Sequence, residues 1–370
     1  MRESIGGLRP IPDDVFVIDP VVHAFNLDPS NVATRYGQQL HDMSYGLHAG
    51  FSPPEATIER PAYMTDMPIK ALLDTMFLES QTDVVAHHTL TLNSWFEDGF
   101  CSRAKTEEGA RAEPERCLAY LGVDPTEGYD KAASDLVEQH EALPDAVGLK
   151  LYPHQIDPYR RWRADDDSVM RLIALCEERG LKTIAIHKAL PNGSVPLESY
   201  KVDDLDVAAD SFPGMAFEII HSGMAFVEET AFALARFPNV YANLETTTAM
   251  VWAAPGRFSD VLGQLMFWGG PEKIVWSTGC TVVHPQHLLS LFWGFQFDED
   301  TIRRIGVPPL TEEVRRAILG GNYARMIGMD IDAKRAAIAD DGYARRRAER
   351  GGLDAPWTHW RAAGPQEAAA

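Results

Sequence analysis

Three histidines each close a short apolar run: His23 in FVIDPVVHAF, His187 in TIAIHKAL and His221 in FEIIHSG. If each run is a strand of a parallel barrel, these side chains point into the mouth at the carboxyl ends of the strands, where barrels of this type carry their active sites. Neutral imidazoles gathered in one layer suit Zn, Mn or Fe. The pattern therefore predicts one metal site built on His23, His187 and His221.

A lysine and a glutamate end two further apolar runs. Lys150 alternates with Leu149 and Leu151 in AVGLKLYP, and a lysine inside a barrel is unfavourable unless it is paired or modified. It is a carbamate bridging two metal ions, a cation holding a substrate carboxylate, or a side chain whose ammonium reaches solvent. Glu245, in VYANLETTT, is either a metal ligand or a partner that orients a ligand histidine.

Other side chains are predicted to bind substrate or to surround the ligands: His88, Tyr152, Trp252, Cys280 and His284. The two aromatic residues among them would exclude water from a reactive intermediate. His284, in VVHPQ, is predicted to lie where the last barrel helix begins. Residue type alone does not decide which of the remaining histidines reach the mouth: His41, His48, His87, His88 and His284 all stay open.

The elements that must position these residues are eight apolar runs rich in β-branched residues. They cover 16–25, 82–90, 116–123, 146–153, 183–189, 216–223, 240–247 and 274–280. Segments of helical periodicity separate most of them, and this alternation predicts an α/β protein with a closed (β/α)₈ barrel. A doubly wound nucleotide-binding sheet is disfavoured because the sequence contains neither GxGxxG nor GxxxxGK[ST].

Two regions depart from the barrel pattern. We predict that 1–332 forms the barrel, with a long insertion at 26–67 between the first strand and the first helix that acts as a lid, a binding loop or a partner contact. Residues 333–370 form a C-terminal extension that carries Trp357 and Trp360. Because exposed tryptophans are unusual in a free tail, we expect this extension to pack against a neighbouring subunit.

The composition excludes several classes of function. The 370-residue chain has a formal net charge of -20, which disfavours a nucleic-acid or anionic-membrane partner. No apolar run approaches the roughly 20 residues that span a bilayer, and the opening MRESIGGLRPIPDDVF lacks the apolar core of a signal peptide. Four cysteines without a CxxC pair fit a reducing, cytoplasmic location.

Several of these motifs together resemble the amidohydrolase superfamily, in particular its decarboxylase-like second family. They are HKAL on the fifth strand, HSG on the sixth, VVHPQ after the eighth, and the closing segment ILGGNYARMIGM at 318–329. The resemblance implies a His-x-His pair on strand one and an aspartate on strand eight, but Val21 and Gly279 stand at those positions. Glycine cannot accept the proton of an attacking water, so hydrolysis by the usual route is disfavoured, and decarboxylation that uses the same aspartate is weakened.

A branch of the same superfamily departs from the pattern in a comparable way. Its barrels hold a dinuclear non-haem centre, of two irons or of iron and manganese, and use dioxygen to hydroxylate an unactivated carbon. The resemblance to this branch implies a monooxygenase of a small amino acid such as 2-aminoisobutyric acid, with an external electron donor and a paralogous barrel subunit in a hetero-oligomer. The ligands would be His23, Lys150 (carbamylated), His187, His221 and Glu245.

Two alternatives remain open. One is a mononuclear, Zn- or Mn-dependent decarboxylase or hydrolase of a carboxylic acid, in which Glu245 replaces the missing aspartate. The other is a non-catalytic barrel subunit that serves an active paralogue.

Overall fold

The computed structural model describes residues 10–152, 154–155 and 160–363. The first nine residues, on which the expectation about a signal peptide partly rests, lie outside this range. So do the last seven residues of the predicted extension 333–370.

Eight parallel strands form one sheet in the order in which they follow along the chain. They are β1 (Ile18–Val22), β2 (Val84–His88), β3 (Cys117–Gly122), β4 (Gly148–Leu151), β5 (Thr183–His187), β6 (Ala216–Ile220), β7 (Val240–Asn243) and β8 (Ile274–Val275). Each strand lies within one of the eight apolar runs, so the predicted (β/α)₈ barrel is confirmed. The predicted runs are longer because they include the first loop residues, where the candidate site residues lie.

Helices alternate with the strands and continue past the last one. They are α1 (Arg35–Phe51), α2 (Arg60–Tyr63), α3 (Ile69–Leu78), α4 (Arg103–Ala112), α5 (Tyr129–Ala142), α6 (Asp167–Glu178), α7 (Leu205–Ser211), α8 (Val227–Arg236), α9 (Met250–Ala253), α10 (Pro255–Gly269), α11 (Pro285–Gly294), α12 (Glu299–Ile305), α13 (Glu312–Arg316), α14 (Asn322–Ile327), α15 (Ile331–Ile338), α16 (Gly342–Arg350) and α17 (Thr358–Ala363). A short antiparallel pair, His154–Gln155 with Arg160–Arg161, follows β4. Because helices cover the outside and side chains fill the inside, nearly every strand residue is buried.

The barrel closes between β1 and the segment that follows β8. The N–H of His23 donates to the carbonyl of Cys280 (2.7 Å), and the N–H of Gly279 donates to that of Val21 (3.2 Å). The buried carboxyl of Asp19 accepts hydrogen bonds from both the N–H and the hydroxyl of Thr278. Asp19 therefore ties the first strand to the last at the level just below the mouth.

The insertion 26–67 is largely helical and packs on the mouth. It contains α1 and α2, and two of its side chains hold the loop that follows β8. His48 donates from Nδ1 to the carbonyl of Val282 (2.9 Å), while Tyr63 donates its hydroxyl hydrogen to the carbonyl of Thr281 (3.2 Å). The insertion thus fixes the loop after β8 by direct hydrogen bonds.

The C-terminal extension packs on its own chain. Trp357 and Trp360 are fully buried, and their indole N–H groups donate to the carbonyls of Ala56 and Ala62 in the insertion. The two rings are covered by their own chain, and the subunit contact that we expected from them stays a prediction. The predicted boundary at residue 332 falls inside α15.

No helix in the described part of the chain is both long and apolar enough to cross a membrane. All four cysteines are buried free thiols.

Trp357→Ala is expected to lower the free energy of unfolding by about 3–5 kcal/mol, because a fully buried ring is replaced by a cavity. Trp252→Ala is the matched control, since the side chain of Trp252 is 43% exposed, and should change the stability by about 0.5 kcal/mol or less. Urea unfolding of both variants measures the difference. Equal effects would contradict the packing of the extension on its own chain.

Asp19 makes the stability depend on pH. Burial outweighs the hydrogen bonds from Thr278 and Val21 and raises the pKa of Asp19 from 3.8 to about 7. Between these values the folded state holds a proton that the unfolded state has lost, so stability falls as pH rises through this window. Between pH 5 and pH 8 the free energy of unfolding of the wild-type protein should fall by about 3 kcal/mol more than that of the Asp19→Asn variant.

Denaturant unfolding at pH 5 and pH 8 tests this dependence, with the exposed Asp145→Asn as control. Parallel pH profiles for the wild type and Asp19→Asn would show that Asp19 is not protonated in the folded state.

Candidate metal centre

The strand ends bring four of the five predicted ligands into contact at the mouth. His23 follows β1, His187 ends β5, His221 follows β6, and Glu245 lies two residues beyond β7. All four are buried. They meet because the carboxyl ends of parallel strands share one edge of the barrel.

The contacts form a chain of donor atoms. His187 Nδ1 lies 3.0 Å from His221 Nε2. His221 Nε2 lies 3.3 Å from Glu245 Oε2, and Glu245 Oε1 lies 3.4 Å from His23 Nε2. Glu245 therefore spans two histidines that come from opposite parts of the sheet order.

Hydrogen bonds to carbonyl oxygens fix the tautomers of two of these rings. His187 Nε2 contacts the carbonyl of Leu190 (2.7 Å), and His221 Nδ1 contacts that of Glu245 (3.1 Å). A carbonyl oxygen can only accept, so each of these nitrogens carries the hydrogen. In neutral rings the two nitrogens that face each other then both present lone pairs.

The imidazoles of His23 and His221 are neutral at physiological pH. Burial lowers the pKa of His221 to about 4 and also lowers that of His23, although Glu245 acts in the opposite direction on both. Burial alone would raise the pKa of Glu245, but His221, His23 and Lys150 lower it to about 2. The cluster thus presents neutral nitrogen donors beside one ionised carboxylate.

The backbone at His221 is in an uncommon conformation. Its φ is 64°, in the left-handed region that non-glycine residues rarely adopt. Such strain persists where the surrounding structure holds it, and it concentrates at functional sites. Here it turns the ring towards His187 and Glu245.

The donor set fits a divalent cation in type and in spacing. Atoms bound to one ion at roughly 2.0–2.2 Å lie roughly 2.9–3.5 Å apart in octahedral or tetrahedral arrangements. The three separations above fall in this range. In residues 10–152, 154–155 and 160–363, however, no three His, Cys, Asp or Glu side chains are already grouped to hold an ion. Metal binding would therefore require small rotations of these side chains.

Comparison with known proteins identifies the family. The sequence matches the family model described as Amidohydrolase over residues 47–329. The chain belongs to the amidohydrolase family. A search of curated protein sequences gave no match.

Solved structures show the same barrel at low sequence identity. An uncharacterised TIM-barrel protein from Bordetella bronchiseptica shares 14% identity with a TM-score of 0.61, over 84% of this chain and 98% of that one. 5-Carboxyvanillate decarboxylase from Novosphingobium aromaticivorans, complexed with manganese, shares 11% identity with a TM-score of 0.54, over 87% of this chain and 99% of that one. 2,6-Dihydroxybenzoate decarboxylase from Rhizobium shares 12% identity with a TM-score of 0.50, over 85% of this chain and 98% of that one. These likenesses establish the fold.

In this amidohydrolase the side chain of Glu245 occupies the space next to Gly279. A Cβ atom at residue 279 would lie 2.9 Å from Glu245 Oε1 and 3.1 Å from Glu245 Cγ, and the φ of Gly279 is 64°. A side chain at residue 279 would therefore require the carboxylate of Glu245 to shift from its present position. Val21, at the other altered position, packs in the apolar interior of the barrel.

Lys150 and His88 lie inside the same barrel. Lys150 is 2% exposed on β4, and burial lowers its pKa to about 8 although Glu245 and Glu218 raise it. His88 Nε2 donates to the carbonyl of Pro20 (2.7 Å). Among the described residues, neither Lys150 Nζ nor His88 Nδ1 has a hydrogen-bond partner.

Two more of the predicted neighbours lie beside the site. The ring of Tyr152 stacks on His187 with centroids 4.5 Å apart. Cys280 contacts His23 through its backbone carbonyl.

For Trp252 and His284 the structure shows contacts with residues other than the four donors, so their predicted role at the site stays a prediction. Trp252 lies on α9, is 43% exposed, and its ring contacts His287. His284 directly precedes α11, as expected, but its Nε2 pairs with Glu79 Oε2 at 3.0 Å and its ring meets Trp357. It serves the attachment of the C-terminal extension.

The other histidines whose position the sequence left undecided fall into two groups. His41, His48 and His87 hydrogen-bond to backbone atoms of Leu27, Val282 and Ala24 respectively. These three are structural, whereas His88 reaches the barrel interior and lies 5.8 Å from His23 between ring centroids.

Glu218 was missed from the sequence. This buried residue of β6 accepts hydrogen bonds from Tyr120, Thr183 and Asn243, on three other strands, so it lies inside the barrel below Lys150. The signal was present, since a carboxylate interrupts the apolar run FEII three residues before His221.

Gly279→Ala is expected to lower the free energy of unfolding by about 1–3 kcal/mol, because it combines a left-handed backbone with a contact against Glu245. Gly256→Ala is the control, since a Cβ there meets nothing within 4 Å. Combining Gly279→Ala with Glu245→Ala should remove the steric part of the loss, so that the double variant is more stable than the sum of the single effects predicts. Strict additivity in denaturant unfolding would contradict this packing.

Proposed function

We propose that this chain is a metal-dependent decarboxylase that releases CO₂ from a small carboxylic acid at a site for one divalent ion, Mn²⁺ or Zn²⁺. His23, His187, His221 and Glu245 would hold the ion. Membership of the amidohydrolase family supports the assignment, and two solved structures with the same barrel are decarboxylases.

One observation carries the proposal: the carboxylate of Glu245 stands in the space next to Gly279 and touches two histidines. The missing strand-eight carboxylate is thereby replaced from the neighbouring strand. Among the described residues, Glu245 is the carboxylate in direct contact with these imidazoles, and its low pKa makes it a good ligand but a poor base for a water molecule.

Decarboxylation fits this set because it requires no base to activate water. The substrate R–COO⁻ breaks its C–C bond to release CO₂, and the electron pair left on carbon takes up one proton to give R–H. A bound divalent ion would act as a Lewis acid on substrate oxygens. The protein's own part is to orient the substrate and exclude bulk water, a role suited to Tyr152, which packs on His187.

Dioxygen-dependent hydroxylation, our prediction from the sequence, finds no support in the comparisons. Iron, a dinuclear centre, carbamylated Lys150, an electron donor and a paralogous subunit belong to that prediction and stay untested. The proposed decarboxylase and the predicted monooxygenase differ in their gaseous products and reactants, so one assay separates them.

The protein supplied with Mn²⁺ is expected to release CO₂ from an aromatic carboxylic acid such as 5-carboxyvanillate without consuming O₂. Headspace CO₂ and an oxygen electrode measure both quantities, with 2-aminoisobutyrate as the second substrate. O₂ uptake with a hydroxylated product would replace the proposal by the monooxygenase. Water addition without CO₂ would replace it by a hydrolase.

His221→Ala is expected to weaken Mn²⁺ or Zn²⁺ binding by about 100-fold or more, because one nitrogen donor of the cluster is lost. His41→Asn is the control: His41 is buried in the insertion and bonds to the carbonyl of Leu27. Titration calorimetry and elemental analysis give affinity and stoichiometry. Unchanged binding in His221→Ala would place the metal elsewhere.

A further inference from the structure

Among the described residues, no carboxylate lies in contact with the buried ammonium of Lys150. Its Nζ has no hydrogen-bond partner in the described part of the chain, and it lies 5.5 Å from the centroid of the Tyr152 ring. Removing an ammonium from water without pairing it is strongly unfavourable. Such a cost persists in a folded protein where function depends on it.

The two carboxylates that act electrostatically on Lys150 already have other partners. Glu245 contacts His23 and His221, and Glu218 accepts from Tyr120, Thr183 and Asn243. Both influence Lys150 electrostatically, but neither accepts a hydrogen bond from its Nζ. The remaining groups around Lys150, His23, His88 and His221, are imidazoles that cannot neutralise it.

Lys188 is a buried lysine of the same chain whose ammonium is paired with a carboxylate. It is as buried as Lys150, and its Nζ donates to both oxygens of Asp204 at 2.8 and 2.9 Å. In residues 10–152, 154–155 and 160–363, one buried lysine is thus paired internally, whereas Lys150, near the mouth of the barrel, is left to be paired by something else.

We propose that Lys150 binds the carboxylate group of the substrate. The inference rests on the proposed function and names the group of the substrate that this residue recognises. A carboxylate supplies the acceptor oxygens and the negative charge that Nζ lacks, in a charge-assisted hydrogen bond. With a divalent ion beside Glu245, the cluster and Lys150 carry three positive charges against one negative charge, which further favours an anionic substrate.

This role differs from a carbamate on Lys150. A carbamate is an anion and would itself become a metal ligand, whereas the ammonium keeps its charge and contacts the substrate. The two can be distinguished without turnover, because only the carbamate adds the mass and the carbon resonance of CO₂ to Lys150.

The test compares Lys150→Met with Lys188→Met in the Mn²⁺-loaded protein. Calorimetry measures binding of two probe pairs, acetate with acetamide and benzoate with benzamide, each pair differing in charge but little in shape. The wild type and Lys188→Met should bind at least one carboxylate about 10-fold or more tightly than its amide. Lys150→Met should lose that preference and bind the amide as the wild type does.

The melting temperature distinguishes a lysine that binds substrate from one that only stabilises the fold. Lys150→Met should melt at the same or a higher temperature than the wild type, since it removes an unpaired buried charge. Lys188→Met should melt at a lower temperature, since it leaves Asp204 buried without its partner. A lower melting temperature for Lys150→Met with carboxylate binding intact would make Lys150 structural and overturn the proposal.

Three further results would overturn it: no carboxylate bound by the wild type, equal carboxylate binding by Lys150→Met, or a ¹³C carbamate signal on Lys150 after exposure to labelled bicarbonate. If CO₂ release fails but the charge preference is lost in Lys150→Met, the carboxylate site stands and the decarboxylase fails. If CO₂ release proceeds with an unchanged KM in Lys150→Met, the decarboxylase stands and the carboxylate site fails.

Discussion

The contact of Glu245 with His23 and His221 holds the buried donor atoms together at the mouth of this barrel. It joins β7 to β1 and β6 across the interior, and it exists because residue 279 has no side chain. A buried carboxylate is stable only with partners, and here the partners are the Nε2 atoms of His23 and His221, the second of which also lies 3.0 Å from His187 Nδ1. That arrangement of lone pairs around one anion favours a cation more than it favours any protein group.

Below this cluster the interior changes from polar to apolar in steps. Lys150 comes first, then Glu218 with its three hydrogen-bonding neighbours, then the apolar residues around Val21 and Tyr323. Glu218 is held so completely that it stabilises the barrel without being available to Lys150. The polar layer thus separates a satisfied structural carboxylate from an unsatisfied lysine, and the difference between them is what points to a ligand.

The site also depends on elements outside the barrel. The loop after β8 carries Gly279 and Cys280. It is held by the hydrogen bonds of its own Thr278 to Asp19 and by those that His48 and Tyr63 of the insertion donate to it. Trp357 and Trp360 in turn fix the insertion by donating to its carbonyls. Because the hydrogen bonds of Thr278, His48, Tyr63 and Trp357 are buried, losing one of them leaves an unsatisfied group as well as a cavity.

The sequence by itself determined the eight strands, the barrel and the three histidines, because apolar periodicity and strand ends are local properties of the chain. It also identified Lys150 and Glu245 as unusual, since a charge at the end of an apolar run is visible without a structure. Only the tertiary structure decided which groups these residues contact. That Glu245 lies against residue 279, that His88 contacts Pro20 while His87 contacts Thr106, and that His284 pairs with Glu79 all depend on contacts between segments far apart in sequence. The burial of Trp357 also depends on the tertiary structure. Residue type alone does not determine whether a ring is covered by its own chain or by another, because that depends on packing.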